Sequence, residues 1–416
     1  NYLYFDSSGI ISMLGVAVTL GFAFIFFGQV LLQLRGGDIL NNIAIYGFGR
    51  FRGGTAKASI VGSSLAGTIT GGPVTNVIMT GSITIPLMKK SGYKPELAGA
   101  VESVSSTGGQ IMPPVMGVAA FVMAEYLGVP YSEIALAALV PAILYYFSLF
   151  VQVHFLAIKD GYRGLSKEEL PKRSELRTAI LIGPAFAILI YFMFIKGYTA
   201  QIAALYSAAV AFIFLAFQES IRKELWFNIK QIFIDTSKTL ITITVVLAAA
   251  GIVVGVTGIT GLGFNLALTL SGIAEHGLFW LLFVSAVVSF ILGMGMPSVA
   301  AYTLVAVLVA PAMVDMGINP IAAHMFVFYF SILCNYTPPI AMACFAAAPI
   351  AKASPIKIGF EAVKLGVVGF IVPFIFIYDP RLLITMNYEY GLLDFLVSLL
   401  FAMSACVFLA LGLVGT

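Results

Sequence analysis

Two short stretches set oxygen-bearing side chains among residues that break helices. TGGPVTN (70–76) gathers Thr70, Thr75 and Asn76 around Gly71, Gly72 and Pro73, and GGQIMPP (108–114) sets Gln110 ahead of two prolines. Far downstream, GMGMPSVA (293–300) offers Ser298, and CNYTPP (334–339) offers Asn335 and Thr337. Ser105, Ser106, Thr107 and Gly108 lead into the first Pro–Pro pair. Hydroxyl, amide and carbonyl oxygens are the ligands that hard cations prefer. Prolines end the regular hydrogen-bond ladder, and glycines let the backbone approach an ion closely. A broken helix leaves free N–H groups on one half and free carbonyls on the other, which attract anions and cations respectively.

The titratable residues are sparse. Of 19 acidic residues, Glu102 is the one that falls inside an apolar stretch. An intramembrane carboxylate is costly and functional by default, so Glu102 is the candidate for proton coupling; a hydrogen-bonded structural glutamate is the competing reading. His324 reads as a packed or pore-facing structural residue, and His154 and His276 as interfacial. Asn76 and Asn335 also suit plain interhelical hydrogen bonding. Cys334, Cys344 and Cys406 form no metal or disulfide spacing. A phosphate loop, an HExxH pair and a Ser–His–Asp set are all missing from the sequence. The chain therefore reads as a non-enzyme, with no nucleotide site, no nucleic-acid partner and no cofactor beyond a coupling ion.

These residues need a membrane to sit in. Hydrophobic residues are 60% of the 416 and charged residues 10%, far from the soluble norm of about 25% charged. Apolar runs near the ~20 residues that span a bilayer recur at 10–34, 134–158, 178–196, 199–217, 239–262, 362–379 and 391–413. The expectation is an all-α polytopic membrane protein, with the lipid bilayer as its surroundings. Shifted by 225 residues, Pro86, Pro95, Pro113 and Pro114 overlay Pro311, Pro320, Pro338 and Pro339, and Gly92 overlays Gly317, while Pro73 misses Pro297 by one. That pattern suggests duplication.

Suppose 55–88 and 278–313 are re-entrant hairpins and 94–127 and 320–351 are broken helices. Twenty of the 22 Lys and Arg residues then share one side, and only Lys196 and Arg381 lie opposite. Basic loops are cytoplasmic, so the first hairpin opens inward and its mate outward, an inverted repeat. Paired broken helices from inverted repeats point to a midplane binding site in secondary transporters. The expected divisions are 1–165 (first repeat), 166–234 (linking helices), 235–380 (second repeat) and 381–416 (a C-terminal transmembrane helix). Residues 219–235 read as a separate interfacial amphipathic helix. The N-terminus of the segment is expected outside and the C-terminus inside. Asn1 in place of a methionine suggests that an upstream part is missing.

In this order, GGPVTN with GMGMPS and GGQIMPP with CNYTPP resemble the large membrane subunit of tripartite ATP-independent periplasmic (TRAP) transporters, over about residues 10–380. The likeness is to permeases serving TAXI-type binding proteins, which often occur as fused chains. It implies an ion-transporter-superfamily fold of elevator type in a bacterial or archaeal cytoplasmic (inner) membrane. It also implies coupling to sodium or protons, and import of a small carboxylate-type anion delivered by a periplasmic substrate-binding protein. Small-subunit helices would lie upstream or in another chain. In such families backbone carbonyls and hydroxyls at tips and breaks hold sodium. The matching positions are Gly72, Thr75, Asn76, Thr107, Gly108, Ser298, Asn335 and Thr337, with Gln110 added as a site residue, and sodium is placed at Gly72, Thr75, Ser298 and Asn335. The alternatives are a carboxylate symporter working without a binding protein, or a channel, which more naturally shows a symmetric filter. The substrate is not legible, because every Arg falls in a loop.

Overall fold

Prolines and left-handed residues decide where the helices start and stop. The structure, a computed structural model, describes residues 10–33, 35–172, 176, 182–217, 225–385 and 390–415. α1 (Ile10–Gln33) and α2 (Gly36–Phe48) lead to a hairpin of α3 (Gly54–Thr70) and α4 (Pro73–Lys90). α5 (Pro95–Gly108) passes into a 3-10 turn at Gly109–Ile111, and the chain resumes as α6 (Val118–Leu127). α7 (Tyr131–Lys159), α8 (Gly183–Ile195) and α9 (Ala200–Phe217) follow. Next come α10 (Leu225–Thr260) and α11 (Leu262–Ala274). A second hairpin is built from α12 (Leu278–Gly293), α13 (Ser298–Leu308) and the short α14 (Ala310–Asp315). α15 (Pro320–Leu333), α16 (Met342–Ala351), α17 (Pro355–Tyr378) and α18 (Leu392–Val414) complete the chain. Pro73, Pro95, Pro320 and Pro355 open helices, where the missing N–H is harmless.

Among the described residues there is no strand. Among the described residues, five helices (α1, α7, α10, α17 and α18) are long and apolar enough to cross a membrane. The polytopic helical expectation therefore holds. α8 covers the described part of the expected span 178–196, of which residues 178–181 lie outside the described residues, and α9, an apolar helix of 18 residues, covers the expected span 199–217 from Ala200 onward.

The expected separate amphipathic helix at 219–235 is corrected. From Leu225 onward it is the first part of α10, a 36-residue helix; residues 219–224 lie outside the described residues. The polar stretch around Asp235 contains no breaker, and its charges pair along one helix. Gln231 donates to Asp235 (2.9 Å), and Lys238 lies 3.7 Å from the same carboxylate. Such i,i+4 and i,i+3 pairs suit a continuous helix.

The backbone repeats its plan. α5 and α15 both have 14 residues, 225 apart, and α6 and α16 both have 10. Left-handed backbone recurs at Met116 and Ala341, and at Gly92 and Gly317, each pair again 225 apart. The second half-helix of each break crosses over: α6 packs on α13 and α15, and α16 packs on α4 and α5.

Several loops meet at one end of the molecule. Leu165 N donates to Gly49 O (2.8 Å), Lys90 pairs with Glu169 (2.9 Å), and Lys89 reaches Ala351 O (2.6 Å). Lys159 donates to Val414 O there too, so α18 ends beside the loop after α7. Glu125, Gly128 and Gly197–Thr199 line a cleft of about 520 Å³ elsewhere, between the α6–α7 and α8–α9 turns.

Candidate functional site

The first tip lies on the first break. α3 closes at Gly71 in the left-handed conformation, with φ 62°. A Cβ at Gly67 would stand 2.5 Å from the Gly109 Cα, so α3 and the break pass backbone to backbone. Gly117 N donates to Gln110 O (2.9 Å) and bridges the break. Carbonyls along α5 and the break are taken by phenols of α7: Tyr145 donates to Val104 O, Tyr146 to Ser105 O, and Tyr131 to Val115 O. Irregular backbone at membrane depth persists only when satisfied in this way.

The second tip repeats the arrangement with other atoms. A Cβ at Gly293 would stand 2.7 Å from Ser331 O, and Cys334 Sγ lies 3.1 Å from Gly293 O as a donor. Ala343 N donates to Asn335 O (2.8 Å), bridging that break. Cys334 and Cys344 are buried free thiols with small side chains.

The structure joins the anticipated residues in two sets. Gly72, Thr75 and Asn76 sit at the first tip, beside Thr107, Gly108 and Gln110 of the break. Ser298 opens α13, and Asn335 and Thr337 occupy the second break. Thr75 is exposed, whereas Asn76, Gln110 and Asn335 are buried. The hydroxyls of Thr107 and Thr337 donate back along their own helices, to Ser103 O and Leu333 O (both 2.8 Å).

Several buried polar atoms lack a hydrogen-bond partner: Asn76 Oδ1, Asn335 Oδ1, Thr70 Oγ1 and Gln110 Nε2. A buried orphan oxygen is costly, and two such amide oxygens beside broken helices suit a hard cation. A cleft of about 130 Å³ opens beside the first tip, where Thr70, Thr75 and Met116 face Gln29 of α1 and Thr239 of α10.

Glu102 is fully buried, and its carboxylate accepts from five hydroxyls. Ser59 (2.7 Å) and Thr84 (2.5 Å) approach Oε2. Ser63 (2.7 Å), Ser106 (3.0 Å) and Thr80 approach Oε1. The nest thus ties α3, α4 and α5 together. Ser59, Ser63, Thr80 and Thr84 were missed in the sequence, although a signal was present. Ser59/Ser63, Thr80/Thr84 and Glu102/Ser106 are three i,i+4 polar pairs, each a one-face stripe on a helix.

His324 is packed, its Nδ1 2.8 Å from the Tyr302 hydroxyl. His154 Nδ1 lies 2.9 Å from Lys57 Nζ. In the loop after α7, the Lys90 ammonium and hydrogen bonds from Ser166 hold the Glu169 carboxyl down at about 2.

Comparison with known proteins identifies the family. The family model for "Tripartite ATP-independent periplasmic transporter, DctM component" matches residues 7–389. The chain is 26% identical over 356 residues to the C4-dicarboxylate TRAP transporter large permease protein DctM of Vibrio cholerae, covering 81% of this chain and 78% of that one. It is 22% identical over 339 residues to the ectoine/5-hydroxyectoine TRAP transporter large permease protein UehC of Ruegeria pomeroyi, covering 79% and 76%. An uncharacterized protein, y4mL, of Sinorhizobium fredii shares 28% identity over 158 residues, and there the match spans 37% of the relative's length.

Proposed function

We propose a function from one premise: the chain belongs to the family of DctM components, the large permeases of TRAP transporters. It is accordingly a membrane permease, and members of the family work with a periplasmic binding protein and a small membrane subunit. In our reading this chain moves a small organic acid across the inner membrane. The binding protein delivers the acid, and a sodium or proton gradient drives its import.

The observation that carries the reading is the pair of tips lying on breaks. The matched helix lengths and left-handed positions, 225 residues apart, support an inverted repeat. Its axis would lie in the membrane plane and its site at the midplane. The crossing of α6 and α16 supports a unit in which each half completes the other. That unit would move as an elevator against the arms α1 and α10. Basic residues near Lys90, Lys159 and Lys352 support a cytoplasmic assignment for that end, which puts the C-terminus of α18 inside.

At the first tip Thr75 offers its oxygen to a coupling ion beside the open backbone of Gly72, and at the second tip and break Ser298 and Asn335 offer theirs. Asn76, Thr107, Gly108, Gln110 and Thr337 complete the walls. Selectivity for one acid rests largely with the binding protein. The small-subunit helices belong either to a fused chain, as in the TAXI-type permeases that this segment resembles, or to a separate subunit.

The test is uptake in proteoliposomes containing the permease complex, with its binding protein outside and one ion gradient imposed at a time. Saturable uptake that requires the binding protein and one gradient is expected. Non-saturating flux independent of both would make the chain a channel.

A further inference from the structure

We propose that Glu102 takes up and releases one proton, and that Thr80 passes the change to Asn76, one turn from the first tip. The proposal rests on the transport reading above and names a coupling group within it.

The hydroxyl network has more acceptors than protons. Thr80 carries one hydroxyl proton and has two acceptors, Glu102 Oε1 and Asn76 O (2.7 Å). Thr84 stands between Glu102 Oε2 (2.5 Å) and Thr80 O (3.1 Å). Ser63 stands between Glu102 Oε1 (2.7 Å) and Thr80 Oγ1 (3.0 Å). An ionised carboxylate is acceptor-only, with about four lone-pair sites, while a protonated one donates once.

In the ionised state all five hydroxyls turn toward Glu102. In the protonated state Oε1–H donates to Thr80 Oγ1, and Thr80 gives its own proton to Asn76 O. No hydroxyl loses its partner in either arrangement. One proton from water binds one carboxylate oxygen, and no other covalent bond changes. A purely structural glutamate would need one complete arrangement; this nest has two. The second reaches Asn76, whose Nδ2 also donates to Ser63 O (2.9 Å) and whose Oδ1 is unpartnered. A buried group that is satisfied in both protonation states avoids the penalty that otherwise bars such a switch.

Other titratable groups around α5 are engaged elsewhere. From α3, Lys57 turns to His154 of α7 and lies over the Phe150 ring. From α7, Tyr145 and Tyr146 donate to backbone carbonyls of α5. From α4, Lys89 reaches Ala351 O, and Lys90 pairs with Glu169. From α16, the Cys344 thiol faces Tyr336 O at 3.6 Å. From α17, Lys357, Glu361 and Lys364 line a surface cleft with Lys94 and Glu96, at the far end of α5.

The experiment is infrared difference spectroscopy of the full permease complex in lipid, combined with hydrogen exchange of residues 72–80. Acidification should produce a protonated-carboxyl band that Glu102→Gln loses. With intrinsic exchange rates corrected, it should also change protection near Asn76. Thr80→Val should keep the band but abolish the protection change, and Thr80→Ser should restore it. If Glu102→Gln fails to reach the membrane, Glu102→Asp serves, and its band must move in frequency. Absence of a Glu102-dependent band between about pH 4 and 9 would overturn the proposal. So would a spectral change produced by sodium at constant pH in place of acidification. An unaltered protection pattern in Thr80→Val would overturn the Thr80 relay. Organic-acid uptake measured in parallel separates the two levels: intact uptake without the band sinks only the proton site, whereas a band without uptake sinks the transport reading.

Discussion

In the α3–α4 hairpin, 14 of the 17 residues of α3 are buried, whereas six of the 16 residues of α12 are buried in the α12–α13 hairpin. Phe279, Trp280, Phe283 and Ile291 of α12 are exposed, as suits a lipid or subunit contact. The chemistry inside differs as well. At the repeat spacing, Ser59 and Ser63 correspond to Val284 and Val288, and Glu102 corresponds to Val327. Only Ser106 keeps a hydroxyl mate, Ser331, which bonds Phe328 O within its own helix. In the second half Tyr302 meets His324 in a buried polar contact, and Ser285 and Ser289 of α12 are buried as well. The difference teaches that backbone bends and side-chain chemistry are separable. Gly and Pro positions fix the bends in both halves, while a buried carboxylate is tolerated only where three helices bring hydroxyls to it.

Moving the carboxylate to the other half should break this asymmetry most sharply. Val327→Glu places a charge at a fully buried site, and a loss on the order of 3–5 kcal/mol is expected. Membrane yield and thermal unfolding of the purified protein would report it; wild-type stability would mean the second half also offers a polar environment. The reverse exchange, Glu102→Val, should cost roughly 1–3 kcal/mol. It is milder because Thr80 and Thr84 retain backbone acceptors at Asn76 O and Thr80 O.

The shared bends should respond alike. Gly67→Ala and Gly293→Ala each push a methyl into opposing backbone, with expected losses of about 1–3 kcal/mol from overpacking. Gly47→Ala, with nothing within 4 Å of its Cβ position, is the control and should be neutral or slightly stabilising. If only one of the two tip variants is affected in unfolding measurements, the halves do not share the tip-on-break contact.

A subtler pair probes the exposed tip chemistry. Thr75→Ala and Ser298→Ala should leave stability unchanged and raise the cation concentration for half-maximal uptake several-fold, through loss of one oxygen ligand each. An unchanged cation dependence in both would remove the tips from the ion site.

The smallest effect belongs to the loop after α7, which the α12–α13 hairpin has no counterpart for among the contacts above. Glu169 has its carboxyl lowered to about 2. A depressed folded-state pKa gives stability that is present above the ordinary carboxyl range and fades as pH falls toward about 2. Lys90→Ala should therefore leave the melting temperature at pH 7 almost unchanged, since exposed pairs contribute little. In NMR titration its Glu169 midpoint should move up toward the ordinary range.

Much of the architecture was legible from residue types. Pro95 and Pro320 marked the half-helices because proline suits a first turn, and the apolar runs marked the spans by length. The separate helix at 219–235 was misjudged because charge alone does not end a helix: from Leu225 the chain contains no proline and no left-handed residue until Gly261. At the site, Glu102 stood out because acids are rare in apolar sequence, yet its partners did not. Ser and Thr are common on packed helices, and their stripes gain meaning only when three helices face one another.

The sequence by itself determined the membrane setting, the helix punctuation and the duplicated order of tips and breaks. Those follow from local rules of hydropathy, proline and glycine that act within a few residues. Only the tertiary structure decided that Gly67 meets Gly109, that α6 and α16 cross to the opposite half, and that five hydroxyls converge on one carboxylate. Each of these joins side chains or backbone far apart along the chain, and helix packing alone sets those distances.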